Sequence, residues 1–138
     1  MKRRNVSSLV LDASALLAVL RKERGSELVE QHLDGAALSA VNYSEVLKKA
    51  VENGGTLEVA VSVIQGLQLD IVPFDERQAA DAAGLFPKTR DKGLSFADRA
   101  CLALAIDMKA ALYTADRRLA EIDAPIRIVL VRHEVKGG

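Results

Sequence analysis

Five short apolar, β-favouring runs, each separated from the next by helical sequence, constrain this chain more than any other feature. They cover residues 6–11, 36–38, 69–72, 111–114 and 126–131. The intervening segments predict helices over 13–20, 27–33, 40–52, 57–67, 76–85, 96–108 and 116–121, with Ser39, Thr56, Asp75 and Ser95 placed as N-caps. Gly25, Asp34-Gly35, Asn53-Gly54-Gly55 and Pro73 punctuate them. Strands joined through helices pair in parallel, so the expected fold is α/β: a central parallel sheet of about five strands, flanked by helices on both faces. The helix over 57–67 is apolar all round and is expected to be well buried. Residues 87–93 read as a basic loop. No internal repeat or linker divides the 138 residues, and a single domain over 1–138 is expected, with an ordered core over about 6–133.

Composition narrows the rest. Aromatic residues make up 4% of the chain and Trp is absent, so Leu, Val, Ile and Ala must form the core. Lys and Arg number 19, as do Asp and Glu, giving no net charge. That argues against binding nucleic acid by bulk charge, while leaving room for local basic patches. The single cysteine, Cys101, cannot form an internal disulfide and suits a reducing compartment. The apolar stretch from Leu9 is broken by Asp12 and Ser14, unlike the core of a secretory signal. No run approaches the ~20 residues of a membrane span. A cytoplasmic protein with no membrane partner is expected.

In parallel sheets ligands bind beyond the carboxyl ends of the strands, where strand order reverses. Asp12 follows the first strand and Asp116 the fourth. Glu45 and Asp98 fall in the first two turns of helices, which brings them toward the same edge. Each acid also has a purely structural use. Asp12 and Asp116 can cap the helices that follow them, Asp98 completes a capping box with Ser95, and Glu45 can pair with Lys49. Together, four carboxylates at one edge would repel one another unless a cation lay between them. Oxygen ligands without a Cys or His cluster select a hard ion, Mg²⁺ or Mn²⁺, and such ions keep waters and bind phosphates. Phosphodiester hydrolysis is the chemistry this points to.

The residues also carry a family pattern. Leu9-Val10-Leu11-Asp12-Ala13-Ser14-Ala15-Leu16 resembles the opening strand and Asp-x-Ser of PIN-domain nucleases. Ser39-Ala40-Val41-Asn42-Tyr43-Ser44-Glu45-Val46 is similar to their segment bearing the second acid. The stretch from Gly93 through Ser95-Phe96-Ala97-Asp98-Arg99 to Ala105 resembles their third motif, and Tyr113-Thr114-Ala115-Asp116-Arg117 their fourth. Ala97 stands where relatives often carry Gly, and Tyr43-Ser44 where Thr or other residues are common. The likeness covers about residues 9–130 and is nearest to the VapC toxins of type II toxin–antitoxin systems. It implies a PIN fold, a Mg²⁺- or Mn²⁺-dependent endoribonuclease, homodimers, and a cognate VapB-like antitoxin. Asp12, Glu45, Asp98 and Asp116 are then the acidic, metal-binding set. Ser14 and Thr114 are hydroxyls that would orient a ligand water or carboxylate, although hydrogen bonding at a helix start or strand end accounts for them equally well.

Lys88, Arg90 and Lys92 precede the third acid, and Arg99, Arg117 and Arg118 follow the third and fourth; all are candidates for RNA contact. His32 and His133 have no carboxylate motif around them, and Cys101 lies in an apolar helical run, so none is assigned chemistry. Asp75 follows a strand expected at the sheet edge and is left outside the site. A haloacid-dehalogenase-like phosphatase would need a second Asp at position 14, which is Ser. A response-regulator receiver would need adjacent acids after the first strand and a late Lys, and a P-loop enzyme a Gly-rich Lys-Ser/Thr loop. The remaining alternative is a PIN-like module that binds RNA or protein without cutting.

Overall fold

The structure, a computed structural model, describes residues 9–131. The expected first residues of the opening strand (6–8), His133 and the tail from Glu134 lie outside the described residues. Five strands, β1 (Leu9–Leu11), β2 (Ala37–Ser39), β3 (Asp70–Val72), β4 (Ala111–Thr114) and β5 (Ile128–Leu130), form one sheet in the order β3-β2-β1-β4-β5. Every pairing is parallel, as expected.

The period-two alternation of β1 explains why helices cover both faces. Leu9 and Leu11 enter one core with Leu38. That core is closed by Ala15, Leu16 and Val19 of α1 (Ala13–Leu20), Val29 of α2 (Glu27–Glu30), Val46 of α3 (Ala40–Glu52) and Ile64 of α4 (Leu57–Gln65). Val10 points the other way, into a core shared with Ala37 and Leu112. The outward layers on this face are α5 (Glu76–Gly84), α6 (Phe86–Thr89), α7 (Phe96–Met108) and α8 (Arg117–Ala120). Cys101, Leu102 and Leu104 of α7 and Leu119 of α8 supply its interior side chains. Leu11, Leu16, Leu38, Leu102, Leu104, Leu112 and Leu119 are fully buried, each contributing roughly 2 kcal/mol of apolar transfer.

Two expectations are corrected. The fourth helix is not well buried: Leu57, Val59 and Val63 are about half exposed or more and only Ile64 is enclosed. An all-round apolar helix needs neighbours on both sides, and among the described residues α4 packs mainly on α3. Residues 87–93 are not a loop either. Pro87 sits in the first turn of α6, where a missing N–H costs nothing, and Arg90–Lys92 continue as a 3₁₀ turn ending at Gly93. The remaining differences are short shifts of element ends, such as β5 beginning at Ile128 rather than at 126 and α2 ending at Glu30 rather than at 33.

The register places the site. Leu11 lies opposite both Leu38 and Tyr113, so Asp12, Ser39 and Thr114 come next in line at the carboxyl edge. From β1 the chain passes to β2 and β3 on one side, while β4 and β5 lie on the other. The strand order therefore reverses between β1 and β4, which is where this class of sheet opens a ligand crevice. Asp75 follows the edge strand β3, away from that point.

Candidate active site

Asp12 is the N-cap of α1 and is 3% exposed. Its Oδ1 accepts hydrogen bonds from the Ser14 hydroxyl at 2.7 Å and the Ala15 N–H at 2.8 Å. Its Oδ2 accepts the Thr114 hydroxyl at 2.5 Å. The two hydroxyl oxygens in turn accept backbone N–H groups: Ala115 donates to Ser14 at 2.8 Å and Asp116 to Thr114 at 2.9 Å. Both hydroxyl hydrogens are thereby committed to Asp12, and the 3.2 Å approach of Ser14 to Thr114 is a contact between two oxygens. Burial pushes the Asp12 carboxyl up to about 6, against the pull of the Thr114, Ala15 and Ser14 hydrogen bonds, and the nearby Asp98 charge adds to the rise.

A cavity of ≈ 270 Å³ is lined by all four acids, Asp12, Glu45, Asp98 and Asp116, together with Asn42 and Arg118. Glu45 is exposed and its Oε1 accepts Asn42 Nδ2 at 3.1 Å. Asp98 completes the expected capping box: Ser95 N–H donates to its Oδ2 at 2.8 Å, and its own N–H donates to Ser95 Oγ at 3.2 Å. Asp116 caps α8, its Oδ1 accepting the Arg118 N–H at 2.9 Å, while Arg118 Nη2 approaches its Oδ2 at 3.2 Å. Burial raises Asp116, but the Arg118 side chain, backbone N–H and charge outweigh it and hold the carboxyl below the usual range. The capping uses expected of Asp12, Asp98 and Asp116 are all present, and the three caps converge on one cavity. Cys101 registers that convergence: burial first, then the charges of Asp12, Asp98 and Glu45, raise its thiol well above the ordinary value. It is core, not nucleophile.

A family model of the PIN domain matches residues 9–125. The chain belongs to the PIN domain family. No curated protein matches it. Among solved structures it resembles a toxin–antitoxin complex from Klebsiella pneumoniae at 19% identity and TM-score 0.67, covering 88% of this chain and 100% of that one. DNA-bound VapBC from Salmonella typhimurium is similar at 19% identity and TM-score 0.67, over 88% and 96% of the two chains. The sarcin–ricin-loop-cleaving toxin VapC20 of Mycobacterium tuberculosis is similar at 14% identity and TM-score 0.68, over 84% and 97%. At these identities the likeness is one of fold.

Whether this PIN domain's cavity suits a divalent ion is tested by its donor set. Every acid side chain in it ends in oxygen, and His32 lies outside. Asn42, read from sequence only as part of a motif, supplies the most telling atom. Its Nδ2 donates to Glu45 and to the Ala97 carbonyl at 3.2 Å, while its buried Oδ1 has no hydrogen-bond partner. A buried oxygen left unpaired on a residue that lines the acid cavity is suited to a cation or its water. Among the described residues no three acidic, His or Cys side chains are close enough to grip an ion directly. The all-oxygen character of the lining acids is of the kind that suits a hard ion.

The candidate cations of the PIN domain divide. Lys88 donates to the Asp123 carbonyl at 2.8 Å, and Arg90 stands 3.9 Å from Asp91. Arg99 lies over the Phe86 ring at 5.4 Å and reaches the Leu94 carbonyl. None of these lines the acid cavity, nor does Lys92. Arg117 lines an adjoining cavity with Arg21 and Arg118. Arg21, at the C-cap of α1, had no sequence signal; only the fold brings the end of α1 and the start of α8 to one cavity.

Proposed function

We propose that this PIN domain is a Mg²⁺- or Mn²⁺-dependent endoribonuclease acting as the toxin of a VapBC-type toxin–antitoxin system. The observation that carries the reading is the cavity at the β1–β4 switch point lined by Asp12, Glu45, Asp98, Asp116 and Asn42. Asp12, Glu45, Asp98 and Asp116 would hold a divalent ion, which when bound would supply Lewis acidity for water activation and charge neutralisation. The protein's part is positioning. Ser14 and Thr114 fix Asp12, Ser95 fixes Asp98, Asn42 holds Glu45, and the Arg118 N–H orients Asp116. One domain over 1–138 is the unit proposed.

The solved toxin–antitoxin structures of the same fold support a VapB-like antitoxin as partner, and Val51, Leu57, Val59 and Val63 are apolar side chains a partner protein or second copy would cover. No helix among the described residues is long and apolar enough to cross a membrane. The deciding experiment is RNA cleavage with Mg²⁺ or Mn²⁺, with and without EDTA, by the parent and Asp12→Ala. Cleavage lost on chelation and in the variant supports the reading. Cleavage that survives both overturns the metallonuclease reading, and RNA or partner binding without cleavage favours the non-catalytic PIN-like module.

A further inference from the structure

Among the described residues, Arg118 is the only cationic one lining the acid cavity. Its guanidinium lies across the Asp116 carboxylate, Nη2 at 3.2 Å from Oδ2 and Nε at 3.5 Å from Oδ1. Its Nη1 donates to the Gly93 carbonyl at 3.2 Å, tying the start of α8 to the turn before α7. Gly93 makes this possible: it adopts a left-handed φ of +69°, and a Cβ there would stand 3.3 Å from Nη1. The guanidinium thus sits where charge neutralisation of the acids is needed, and the side chain remains 58% exposed and free to leave. Asp116 would not collapse on its departure, because the Arg118 backbone N–H holds Oδ1 independently at 2.9 Å. Arg118 also lines the adjoining cavity of ≈ 520 Å³, with Arg21, Arg117 and the counter-charge Glu23.

We infer that Arg118 is an exchangeable cation: it neutralises Asp116 in the metal-free site, yields that carboxylate to the divalent ion, and then contacts an RNA phosphate in the adjoining Arg21–Arg117 cavity. The exchange rests on the metal-site part of the proposed function, and the phosphate contact on its ribonuclease part. Two like-charged groups competing for one carboxylate oppose each other, whereas a guanidinium beside a phosphate adds to binding. Removing Arg118 should therefore move metal and RNA affinity in opposite directions. A residue that only held the fold would weaken both.

The test uses the full chain as parent, Arg118→Gln and Arg118→Lys. Mn²⁺ binding is measured by calorimetry without RNA, and KM for a single-stranded RNA is measured at saturating Mn²⁺ over a range of salt. Arg118→Gln is expected to bind Mn²⁺ about two- to fivefold more tightly, the scale of a half-exposed ion pair. Its KM should rise several-fold, with a salt slope smaller by about 1. Arg118→Lys should recover most of the KM, because the charge remains. Unchanged or weaker Mn²⁺ binding in Arg118→Gln overturns the exchange, and an unchanged KM and salt slope overturns the phosphate contact. A parent that binds Mn²⁺ but does not cleave RNA overturns the ribonuclease reading and the phosphate half with it, while the Mn²⁺ comparison still decides the exchange at Asp116.

Discussion

Thr114 donates its hydroxyl hydrogen to Asp12 across the β1–β4 boundary at 2.5 Å, and the same oxygen accepts the Asp116 N–H at 2.9 Å. One side chain therefore sets two of the four acids. Thr114→Val keeps the shape, removes the donor from a buried carboxylate and leaves a backbone N–H unpaired. A loss of about 2 kcal/mol is expected in urea unfolding, with Thr114→Ser close to the parent. Equal stability of Val and parent would show that the bond contributes nothing.

Burial of Asp12 gives a pH dependence with a definite sign. Its carboxyl titrates at about 6 in the folded protein against an ordinary 3.8. Between those values the folded state holds a proton that the unfolded chain has released. The stability this group contributes is therefore complete below about pH 4 and is lost as pH rises through 6, to the extent of about 3 kcal/mol. Asp12→Asn keeps an N-cap acceptor for Ala15 and removes the titration. In EDTA, the variant should gain stability relative to the parent as pH is raised from 4 to 7. A difference that does not change with pH would contradict the assigned burial cost.

Asn42 ties Glu45 to α7 through the Ala97 carbonyl. Asn42→Ala releases the carboxylate and removes the unpaired oxygen, and Mn²⁺ affinity measured by calorimetry should fall by about 10- to 100-fold, as for other residues that orient a metal ligand. Affinity within twofold of the parent would remove Asn42 from the site.

The half-exposed apolar residues of α4 are proposed to serve assembly rather than folding. Val59→Glu with Val63→Glu alters side chains already 61% and 48% exposed, so the melting temperature should move little. Light scattering should show loss of any homodimer formed through this face. An unchanged mass would place the interface elsewhere.

Much of this was legible in the sequence for physical reasons. Short apolar runs between helices leave a parallel sheet as the economical solution, and a strand ending in Asp at its centre marks the crevice. Ser95 and Asp98 announced a capping box that the structure contains. What could not be read is set by packing between distant segments. The apolar periodicity of α4 does not reveal that only α3 and the core beneath would cover it. Pro87 reads as a breaker until it is seen in a first helical turn. Lys88, Arg90, Lys92 and Arg99 lie near Asp98 in sequence, yet α6 and the 3₁₀ turn direct the first three elsewhere and Arg99 turns to the Phe86 ring. Asn42 and Arg118 acquire their roles only when α1, α3, α7 and α8 meet at one cavity, and Arg21 only in the cavity beside it.

The central claim is that four carboxylates act together around one divalent-ion site. Mn²⁺ titration followed by electron paramagnetic resonance tests it directly, on the parent and on Asp12→Asn, Glu45→Gln, Asp98→Asn and Asp116→Asn. Asp98→Asn is the cleanest arm, because an amide oxygen still completes the capping box with Ser95. The account predicts saturable binding by the parent and weaker binding in each of the four variants. Binding of equal affinity in all five proteins, or none in the parent, would contradict it.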